Sequence, residues 1–303
     1  MFKEHAIDGA DTAHEQRQQR AVTVVIPAFN EGDHIAEEVA AVEKVLGDTD
    51  WQYEIVVVDD GSTDNTSTQA ASTSAQLIRQ KRNHGYGAAL KRGIAAADTD
   101  WILIIDADGT YPADAIPRLL AAAPGNDMVV GARIGQTVKV PVLRRPAKWF
   151  LRHLASYLAG QKLPDLNSGL RLMSRSLVER YNHLLPSGFS FTTTITLAAA
   201  CNDHDIEYVP IDYFARRGRS SIRAWHAYEF LLLILRTIVF FNPLKVFMPV
   251  GGAIALAGLA KLIYDIVIGN LSESAVLALL AALVIWAVGL LADQNSRIAM
   301  QRR

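Results

Sequence analysis

The sequence has very little cysteine and almost no net charge. Cys201 is the one cysteine in 303 residues, which excludes an internal disulfide framework and fits a reducing compartment. We interpret this thiol as a small buried apolar side chain rather than as a nucleophile. Because 30 Lys and Arg residues offset 31 Asp and Glu residues, the net charge is −1. A chain this close to neutrality has no global basic field that would recruit nucleic acid.

The first twenty residues have no apolar run and no apolar periodicity. We therefore predict a flexible polar tail over 1–20, with no signal peptide. Over the whole chain, apolar residues make up 50% of the sequence. This fraction excludes a disordered protein and is enough for one large domain with an additional apolar segment.

Apolar, β-branched runs alternate with helix-like segments between residue 21 and about residue 210. We predict strands at 22–26, 54–58, 101–105 and 128–130, and helices at 33–46, 64–74, 87–97 and 113–123. The strand runs are almost continuously apolar, as is typical of strands that are covered on both faces. The alternation predicts an α/β domain with a mostly parallel sheet, in which ligands bind at the carboxyl ends of the strands.

Two long apolar segments lie near the end of the sequence. Residues 246–260 carry no charge, the apolar character resumes after Lys261 up to residue 268, and residues 275–292 are again uncharged. Each is long enough to cross a membrane, which takes about 17–25 residues. A pair of buried core helices is the alternative, but the short turn at 269–274 favours a transmembrane hairpin. The mostly apolar residues 224–243, interrupted by Glu229 and Arg236, are predicted to form an interfacial helix.

Basic residues flank this hairpin, whereas its turn has Glu273 and no basic residue. The flanking residues are Arg236, Lys245, Arg297, Arg302 and Arg303. The positive-inside rule therefore predicts an integral membrane protein whose large domain and two termini are cytoplasmic. Lys261 and Asp265 are four positions apart and are expected to pair on one helix face.

Two carboxylates follow the third predicted strand. Asp106 and Asp108 flank a single alanine, Ala107. Carboxylates two positions apart at a strand end can converge on one divalent cation, and Mg²⁺ or Mn²⁺ favours carboxylate and diphosphate oxygens. Such a cation would offset the charge that builds on a leaving diphosphate. A solvated turn is the alternative, because Asp and Gly are common turn residues.

Polar residues also follow the first two strands. Asp60 is placed to accept a hydrogen bond from a base N–H, although a hydroxyl at position 62 or 63 could instead simply cap the next helix. Phe29 and Glu31 are placed to contact a base and a ribose, and Asn30 could equally cap a helix. These three strand ends together predict a nucleotide site at one edge of the sheet.

The motifs at these strand ends together resemble glycosyltransferase family 2, which has the GT-A fold. They are Pro27…Asn30-Glu31, Val58-Asp59-Asp60-Gly61-Ser62 and Asp106-Ala107-Asp108. Asp165, followed by the segment 167–171, resembles the Asp-x-x-Ser-Gly-Phe-Arg segment of dolichol-phosphate mannose synthases and related polyprenyl-phosphate glycosyltransferases. The resemblance implies an α/β, Rossmann-like GT-A catalytic domain over 21–223. The interfacial helix (224–243), the hairpin (244–293) and a cytoplasmic tail (294–303) would follow it.

The resemblance implies roles for individual residues. The nucleotide pocket would comprise Pro27, Phe29, Glu31, Val58, Asp60, Asp106 and Ala107. Asp106 and Asp108 would hold Mg²⁺ or Mn²⁺ together with the diphosphate. Thr110 stands where many mannose synthases have a glutamine beside the metal. The turn at 83–87 resembles the glycine-rich loop that precedes a helix in this family.

Basic residues after the fourth strand indicate an acceptor site. The resemblance implies a lipid-phosphate cradle formed by Arg133, Arg144, Lys148, Ser168, Arg216 and Arg217. Arginine forks suit phosphate oxygens. Residues 146–160 combine a helical apolar stripe with basic and aromatic side chains, which predicts an amphipathic helix on a membrane. A solvated basic face on an ordinary packed helix is the alternative there, as a basic linker to the membrane segment is for 216–221.

These features predict metal-dependent, inverting transfer of a hexose from a nucleotide-sugar to a polyprenyl phosphate. A lipid phosphate is already anionic near neutral pH, so the site can act by alignment and charge stabilisation, without a general base. Asp106, Asp108, Arg133 and Arg144 are the predicted catalytic residues, and Asp165 is interpreted as structural. The alternatives are a transferase acting on a saccharide or lipid hydroxyl and a non-enzymatic membrane scaffold. The sugar, UDP or GDP, undecaprenyl or dolichyl phosphate, and the oligomeric state all stay open.

Overall fold

The chain folds around a seven-stranded sheet, seen in a computed structural model that describes residues 20–134, 153–157, 159–188, 190–214, 225–270 and 272–301. Its strand order is β3-β2-β1-β4-β6-β5-β7. The strands are β1 (Ala21–Ala28), β2 (Gln52–Asp59), β3 (Gln76–Arg79), β4 (Trp101–Ile104), β5 (Met128–Ala132), β6 (Arg171–Ser174) and β7 (Ile206–Pro210). The pairs that involve β6 are antiparallel and the others are parallel. The predicted mostly parallel α/β sheet is confirmed.

Helices connect the strands and then form the end of the chain. They are α1 (Ile35–Gly47), α2 (Thr66–Ala71), α3 (Tyr86–Ala96), α4 (Ile116–Ala121), α5 (Arg175–Tyr181), α6 (Phe191–Cys201), α7 (Trp225–Phe241), α8 (Leu244–Val267) and α9 (Glu273–Gln301). The four predicted helices exist; α1, α2 and α4 are shorter than predicted, whereas α3 has the predicted length and begins one residue earlier. The helix α2 ends early because the hydroxyls of Ser72 and Thr73 donate to the carbonyls of Gln69 and Ala70. A separate 3-10 turn, Ala113–Ala115, precedes α4.

Three short strands escaped the apolar-run analysis. The strand β3 is a partly exposed edge strand, and β6 opens with a fully buried arginine, Arg171. The strand β7 carries the polar residues Glu207 and Tyr208 in its middle. Because an apolar-run criterion rejects such segments, the sheet is wider than the sequence pattern predicts.

The central strands bury side chains on both faces of the sheet. Val24 and Ile26 of β1 point into the core beneath α1 and α4, whereas Val25 of the same strand packs with α3 and α6 on the opposite face. This alternation explains why β1 is apolar at nearly every position, since neither face meets water. The parallel pairing of β1 with β2 and β4 places the carboxyl ends of these strands at one edge of the sheet.

The helices α8 and α9 pack against each other as a hairpin. Both are long and apolar enough to cross a membrane, and α8 alone spans 24 residues. The two helices approach closely at Gly251, where an added Cβ would lie 2.4 Å from Trp286 Nε1. The Trp286 indole donates to the carbonyl of Met248 at 3.2 Å. Large apolar side chains such as Leu256 and Leu283 remain exposed on the outer faces, as a lipid-facing surface requires.

Polar side chains join the two helices near their connecting turn. Lys261 and Asp265 form the predicted ion pair across one turn of α8. The hydroxyl and the backbone N–H of Ser272 both donate to the same carboxylate. The carboxylate of Asp265 therefore has donors from both sides of the turn and is not left unpaired in an apolar setting.

Candidate active site

The carboxyl ends of β1, β2 and β4 meet at one edge of the sheet. The register pairs Ala28 with Asp59 and Val25 with Ile104, so the three strands end within a few residues of one another. The polar residues that follow each strand are therefore brought together. This is the edge at which open α/β sheets bind ligands.

Asp106 and Asp108 are both held in defined orientations at the end of β4. The hydroxyl of Tyr86 donates to Asp106 Oδ1 at 2.8 Å. The backbone N–H and the hydroxyl of Thr110 donate to Asp108 Oδ1 at 3.1 and 2.6 Å. Gly169 lies directly against Asp106, since an added Cβ would fall 2.3 Å from Asp106 Oδ2. The two carboxylates are thus oriented by neighbours before any ligand binds.

Tyr86 can act only as a hydrogen-bond donor toward Asp106. Burial, together with the nearby negative charge of Asp106, raises the pKa of Tyr86 well above its ordinary value. The phenol therefore keeps its proton at every physiological pH. Tyr86 lies in the glycine-rich turn at 83–87, but nothing in the sequence pattern indicates that its hydroxyl reaches the aspartate.

The carboxylate of Asp60 holds the loop that precedes α3. It accepts hydrogen bonds from the backbone N–H groups of His84 and Gly85 at 2.9 and 2.8 Å. Gly85 has φ +98°, a conformation that favours glycine. Asp60 thus orders the loop through which Tyr86 reaches Asp106, and its predicted contact with a base stays a prediction.

The ends of β1 and β2 are also joined to each other. Asn30, with φ +56°, donates from its backbone N–H to Ser62 Oγ at 2.9 Å and accepts at its side-chain oxygen from the Thr63 N–H at 2.9 Å. These groups bond to one another, and neither α1 nor α2 has a side-chain hydrogen bond at its N-cap. The helix-capping alternatives for residues 30, 62 and 63 are therefore wrong.

The residues of the predicted nucleotide pocket differ in exposure. Phe29 is 44% exposed and stands at the surface of this edge, whereas the side chains of Val58 and Ala107 belong to the core. Pro27 lies within β1, and Glu31 is partly buried just beyond it. Only Phe29 offers a large exposed face of the kind on which a base stacks.

A basic cavity opens beside the loop that Asp60 holds. It has a volume of about 550 Å³ and is lined by Arg79, Gln80, Lys81, Arg82, His84 and Arg92. Five of these six side chains are basic or imidazole groups. Positive charge at this position would attract an anionic ligand.

Arg133 and Asp165 form a bidentate ion pair. Arg133 Nε and Nη2 donate to the two carboxylate oxygens at 2.7 and 2.8 Å, and the Arg133 backbone N–H adds a third bond at 3.1 Å. Burial alone would raise the pKa of Asp165, but the hydrogen bond from Arg133 outweighs it and leaves the pKa lowered. The guanidinium also lies 5.3 Å from the ring centre of Tyr213. These bonds hold Arg133 in one position, and the interpretation of Asp165 as structural stays a prediction.

Hydrogen bonds from buried side chains fix the segment from Asp165 to Arg171. Arg171 is fully buried and donates to the carbonyls of Ser168 and Thr192 at 2.7 and 2.9 Å. The hydroxyl of Ser168 is also buried and donates to the carbonyl of Gly131 at 2.5 Å. That bond directs Ser168 into the fold, so its predicted contact with a lipid phosphate stays a prediction.

Several predicted acceptor residues lie outside the described residues. They are Arg144, Lys148, Arg216 and Arg217. Most of the predicted amphipathic helix at 146–160 also lies there, although residues 153–157 are helical.

A third carboxylate lies near Asp106 and Asp108, and the sequence analysis missed it. Glu38 of α1 is 6% exposed, and its Oε1 atom has no hydrogen-bond partner. Burial, followed by the charges of Asp108 and Asp106, raises the pKa of Glu38 to about 7. The available signal was its position, because Glu38 interrupts the apolar stripe of α1. Within the described residues, no three acidic, His or Cys side chains converge closely enough to hold a metal by themselves.

The residues present fit a divalent cation that is shared with a ligand. Asp106 and Asp108 supply oxygen donors, and the buried, partnerless oxygen of Glu38 is of the type that a cation or its water satisfies. Two carboxylates with substrate phosphates are a usual environment for Mg²⁺.

Two sequence families match the chain. The model described as glycosyl transferase family 2 matches residues 23–181, and the one described as the GtrB C-terminal hairpin matches residues 242–298. The first match contains the sheet edge with Asp60, Asp106 and Asp108. The second contains α8 and α9.

Two curated relatives and one solved structure give further comparisons. The chain is 30% identical over 203 residues to a dolichyl-phosphate hexose transferase of Haloferax volcanii, covering 66% of this chain and 86% of that protein. It is 29% identical over 263 residues to an undecaprenyl-phosphate 4-deoxy-4-formamido-L-arabinose transferase of Klebsiella pneumoniae, covering 80% and 74%. Glucosyl-3-phosphoglycerate synthase from Mycobacterium tuberculosis, in complex with Mn²⁺, UDP and phosphoglyceric acid, superposes with a TM-score of 0.58 at 21% identity, covering 79% and 83%. This last likeness shows a shared fold.

Proposed function

The chain belongs to glycosyl transferase family 2, and on that basis we propose that it transfers a hexose from a nucleotide-sugar to the phosphate of a polyprenyl lipid. The observation that carries this proposal is the combination of the Asp106 and Asp108 site with an apolar hairpin in one chain. Both curated relatives are named for transfer to a polyprenyl phosphate. A membrane hairpin brings a soluble donor and a lipid acceptor to the same protein.

The donor would bind at the shared edge of β1, β2 and β4. Phe29 offers an exposed ring for the base, and the basic cavity beside Arg82 provides positive charge for the approach of the nucleotide. The pocket walls are ordered in advance, since Asp60 holds the loop at 84–85. Preorganisation of this kind reduces the cost of positioning the donor.

Asp106 and Asp108 would hold Mg²⁺ or Mn²⁺ beside the donor diphosphate. When bound, the cation neutralises charge on the departing nucleoside diphosphate. Tyr86 and Thr110 each donate a hydrogen bond to one of these aspartates, and this keeps an oxygen of each carboxylate in a fixed direction. Fixed ligands retain their geometry as charge develops, so little reorganisation is needed.

The acceptor would be a phosphate monoester that attacks the anomeric carbon directly. Such an oxygen is already anionic near neutral pH, so the attack needs no general base. Asp165 is a poor candidate for a base, because Arg133 engages both of its oxygens. A single displacement would invert the anomeric centre. Arg133, Arg144 and Lys148 would align the lipid phosphate, with Ser168, Arg216 and Arg217 as further candidates.

The hairpin of α8 and α9 would anchor the enzyme. Basic residues flank it on one side, and the positive-inside rule then places the catalytic domain and both termini in the cytoplasm. The helix α7, which packs on α6 and α9, would lie at the membrane interface. This orientation gives the donor site access to cytoplasmic nucleotide-sugars.

A transfer assay tests the proposed function. Purified full-length protein in detergent is incubated with Mn²⁺, radiolabelled UDP- or GDP-linked glucose, mannose or N-acetylglucosamine, and undecaprenyl or dolichyl phosphate. We expect label in the organic phase for one donor, with inverted anomeric configuration. Polyprenol, which lacks the phosphate, is the matched acceptor control. Equal transfer to polyprenol, or transfer only to a saccharide, would show that the acceptor is a hydroxyl.

A further inference from the structure

Glu38 occupies a position in α1 that the helix otherwise fills with apolar side chains. Ile35, Val39 and Val42, which are neighbours of Glu38 on the same face of α1, have no exposed surface. Glu38 itself is 6% exposed, whereas the adjacent Glu37 is exposed to solvent. A carboxyl group is costly at such a site unless a partner compensates for its lost hydration. Helix formation and core packing therefore do not explain why a carboxyl group occupies this position.

No hydrogen-bond donor satisfies the Oε1 atom of Glu38. The charges that act on this carboxyl most strongly are those of Asp108 and Asp106, and both are negative. Three carboxyl groups are thus close enough for their charges to interact. Mutual repulsion makes this arrangement unfavourable by itself and favourable once a cation is present.

The hydroxyls of Thr110 and Tyr86 donate to the two aspartates and not to Glu38 Oε1. Thr110 Oγ1 donates to Asp108 Oδ1 at 2.6 Å, so that hydroxyl orients Asp108 and is not directed to Glu38. Tyr86 likewise donates to Asp106. Each aspartate has a donor that fixes it, and Glu38 supplies an acceptor that is still available.

We propose that Glu38 is a positioning residue of the cation site, whose Oε1 accepts a hydrogen bond from a water molecule held by the divalent cation. This inference rests on the proposed metal dependence. It assigns Glu38 an indirect contact, because the described residues contain no cluster of three side chains that could ligate a metal directly. Partners that bond to the ligands of a metal typically change its affinity by 10–100-fold.

Direct measurement of Mn²⁺ binding tests this role. The full chain in detergent is titrated with Mn²⁺, alone and with UDP, and free Mn²⁺ is counted by electron paramagnetic resonance. We expect Glu38→Gln to raise the Mn²⁺ dissociation constant about tenfold or more. Glu37→Gln removes the same charge one residue away, on the exposed face, and should change it less than twofold.

Two further variants distinguish the hydrogen-bonding role of Glu38 from the effects of its charge and of its packing in the core. Glu38→Asp keeps the charge but withdraws the oxygen by one methylene, so the hydrogen-bond role predicts weakened Mn²⁺ binding. Glu38→Leu preserves an apolar core and should also bind Mn²⁺ weakly while unfolding at a temperature no lower than the parent. Parental Mn²⁺ affinity in Glu38→Leu or Glu38→Asp would overturn the inference. Absence of Mn²⁺ binding in the parent itself would instead refute the metal dependence of the proposed function.

Discussion

Tyr86 and Asp106 are joined by a hydrogen bond of 2.8 Å between the phenol oxygen and Oδ1. The first residue begins α3 and the second follows β4, so the bond crosses the site from the helix to the central strand. Asp60 supports the same arrangement by holding the loop at 84–85. The orientation of the predicted metal ligand therefore depends on residues just after β2 and β4 and on the first residue of α3.

Tyr86→Phe removes this bond and leaves the ring in place. A hydrogen bond to a charged group contributes about 1.5–3 kcal/mol, so we expect kcat/KM for sugar transfer to fall roughly 10–100-fold. Steady-state kinetics with Mn²⁺ and the preferred donor measure the effect. Tyr53→Phe, at an exposed position of β2, is the control and should behave as the parent. Unchanged kinetics in Tyr86→Phe would mean that Asp106 is positioned without the phenol.

Asp108→Asn should nearly abolish transfer without unfolding the protein. An amide binds a divalent cation poorly, although it can still accept the hydrogen bonds that Thr110 donates to this position. Removal of the metal with EDTA should reproduce the loss, and Mn²⁺ should restore activity only to the parent. The exposed Asp114 provides the control, because Asp114→Asn removes a carboxylate of the same type outside the site. Full activity in EDTA would exclude a metal role.

The metal-free protein should lose stability as pH rises toward neutrality. Folded Glu38 keeps its proton up to a pKa of about 7, whereas the unfolded chain releases it near 4.5. The contribution of Glu38 to the free energy of unfolding is therefore complete below pH 4.5. It falls between pH 4.5 and 7, by up to about 3 kcal/mol. Glu38→Gln cannot titrate, so its melting temperature at pH 8 in EDTA should exceed that of the parent. The two proteins should converge at low pH, and Glu37→Gln should follow the parent.

Asp165→Asn should destabilise the domain, because it leaves the guanidinium of Arg133 buried beside a neutral group. Breaking one side of a buried ion pair costs about 3–5 kcal/mol. Replacing both residues by apolar ones, as in Arg133→Met with Asp165→Leu, should recover much of that loss but not the use of the lipid acceptor. Thermal unfolding and transfer assays on the same samples separate the two effects. Recovered transfer in the double variant would remove Arg133 from the acceptor site.

Arg144→Ala should impair use of the lipid far more than binding of the donor. Loss of a charge-assisted hydrogen bond to phosphate costs about 1.5–3 kcal/mol, or roughly one to two orders of magnitude in acceptor efficiency. Lysine at this position should recover part of the loss. A short water-soluble polyprenyl phosphate is the decisive acceptor, since it removes any general attraction to an anionic membrane. Arg152→Ala is the control. If Arg144→Ala matches the parent with this soluble acceptor, Arg144 does not bind the reacting phosphate.

The sequence predicts the central strands and the position of Asp106 and Asp108 just after one of them, for a physical reason. Buried parallel strands must be apolar at successive positions, and the residues just after them carry the chemistry, as with Ile104 and Asp106. Strands β3, β6 and β7 lack that pattern, because β3 and β7 lie at the two edges of the sheet and β6 opens with the buried Arg171. Their place in the sheet follows from tertiary contacts that no local pattern encodes.

The residues that support Asp106 and Asp108 were harder to predict than the two aspartates themselves. Tyr86 and Glu38 reach Asp106 and its surroundings from distant parts of the chain, and no spacing rule links them. The interpretation of Asp165 as structural stays a prediction, and its bidentate bond with Arg133 is visible only in the fold. A carboxylate within an apolar helical stripe is the one local signal that pointed to Glu38.

The short segment between Asp165 and Arg171 contacts both halves of the site. Its first residue fixes Arg133, and Gly169, four positions later, lies against the carboxylate of Asp106. Arg171 donates hydrogen bonds to α6, and these bonds restrict movement of the segment. A displacement at either end is therefore transmitted to the other through a few bonds of backbone. The predicted metal ligand Asp106 and the predicted acceptor residue Arg133 therefore share one support, so a substitution chosen for one of them is expected to shift the other.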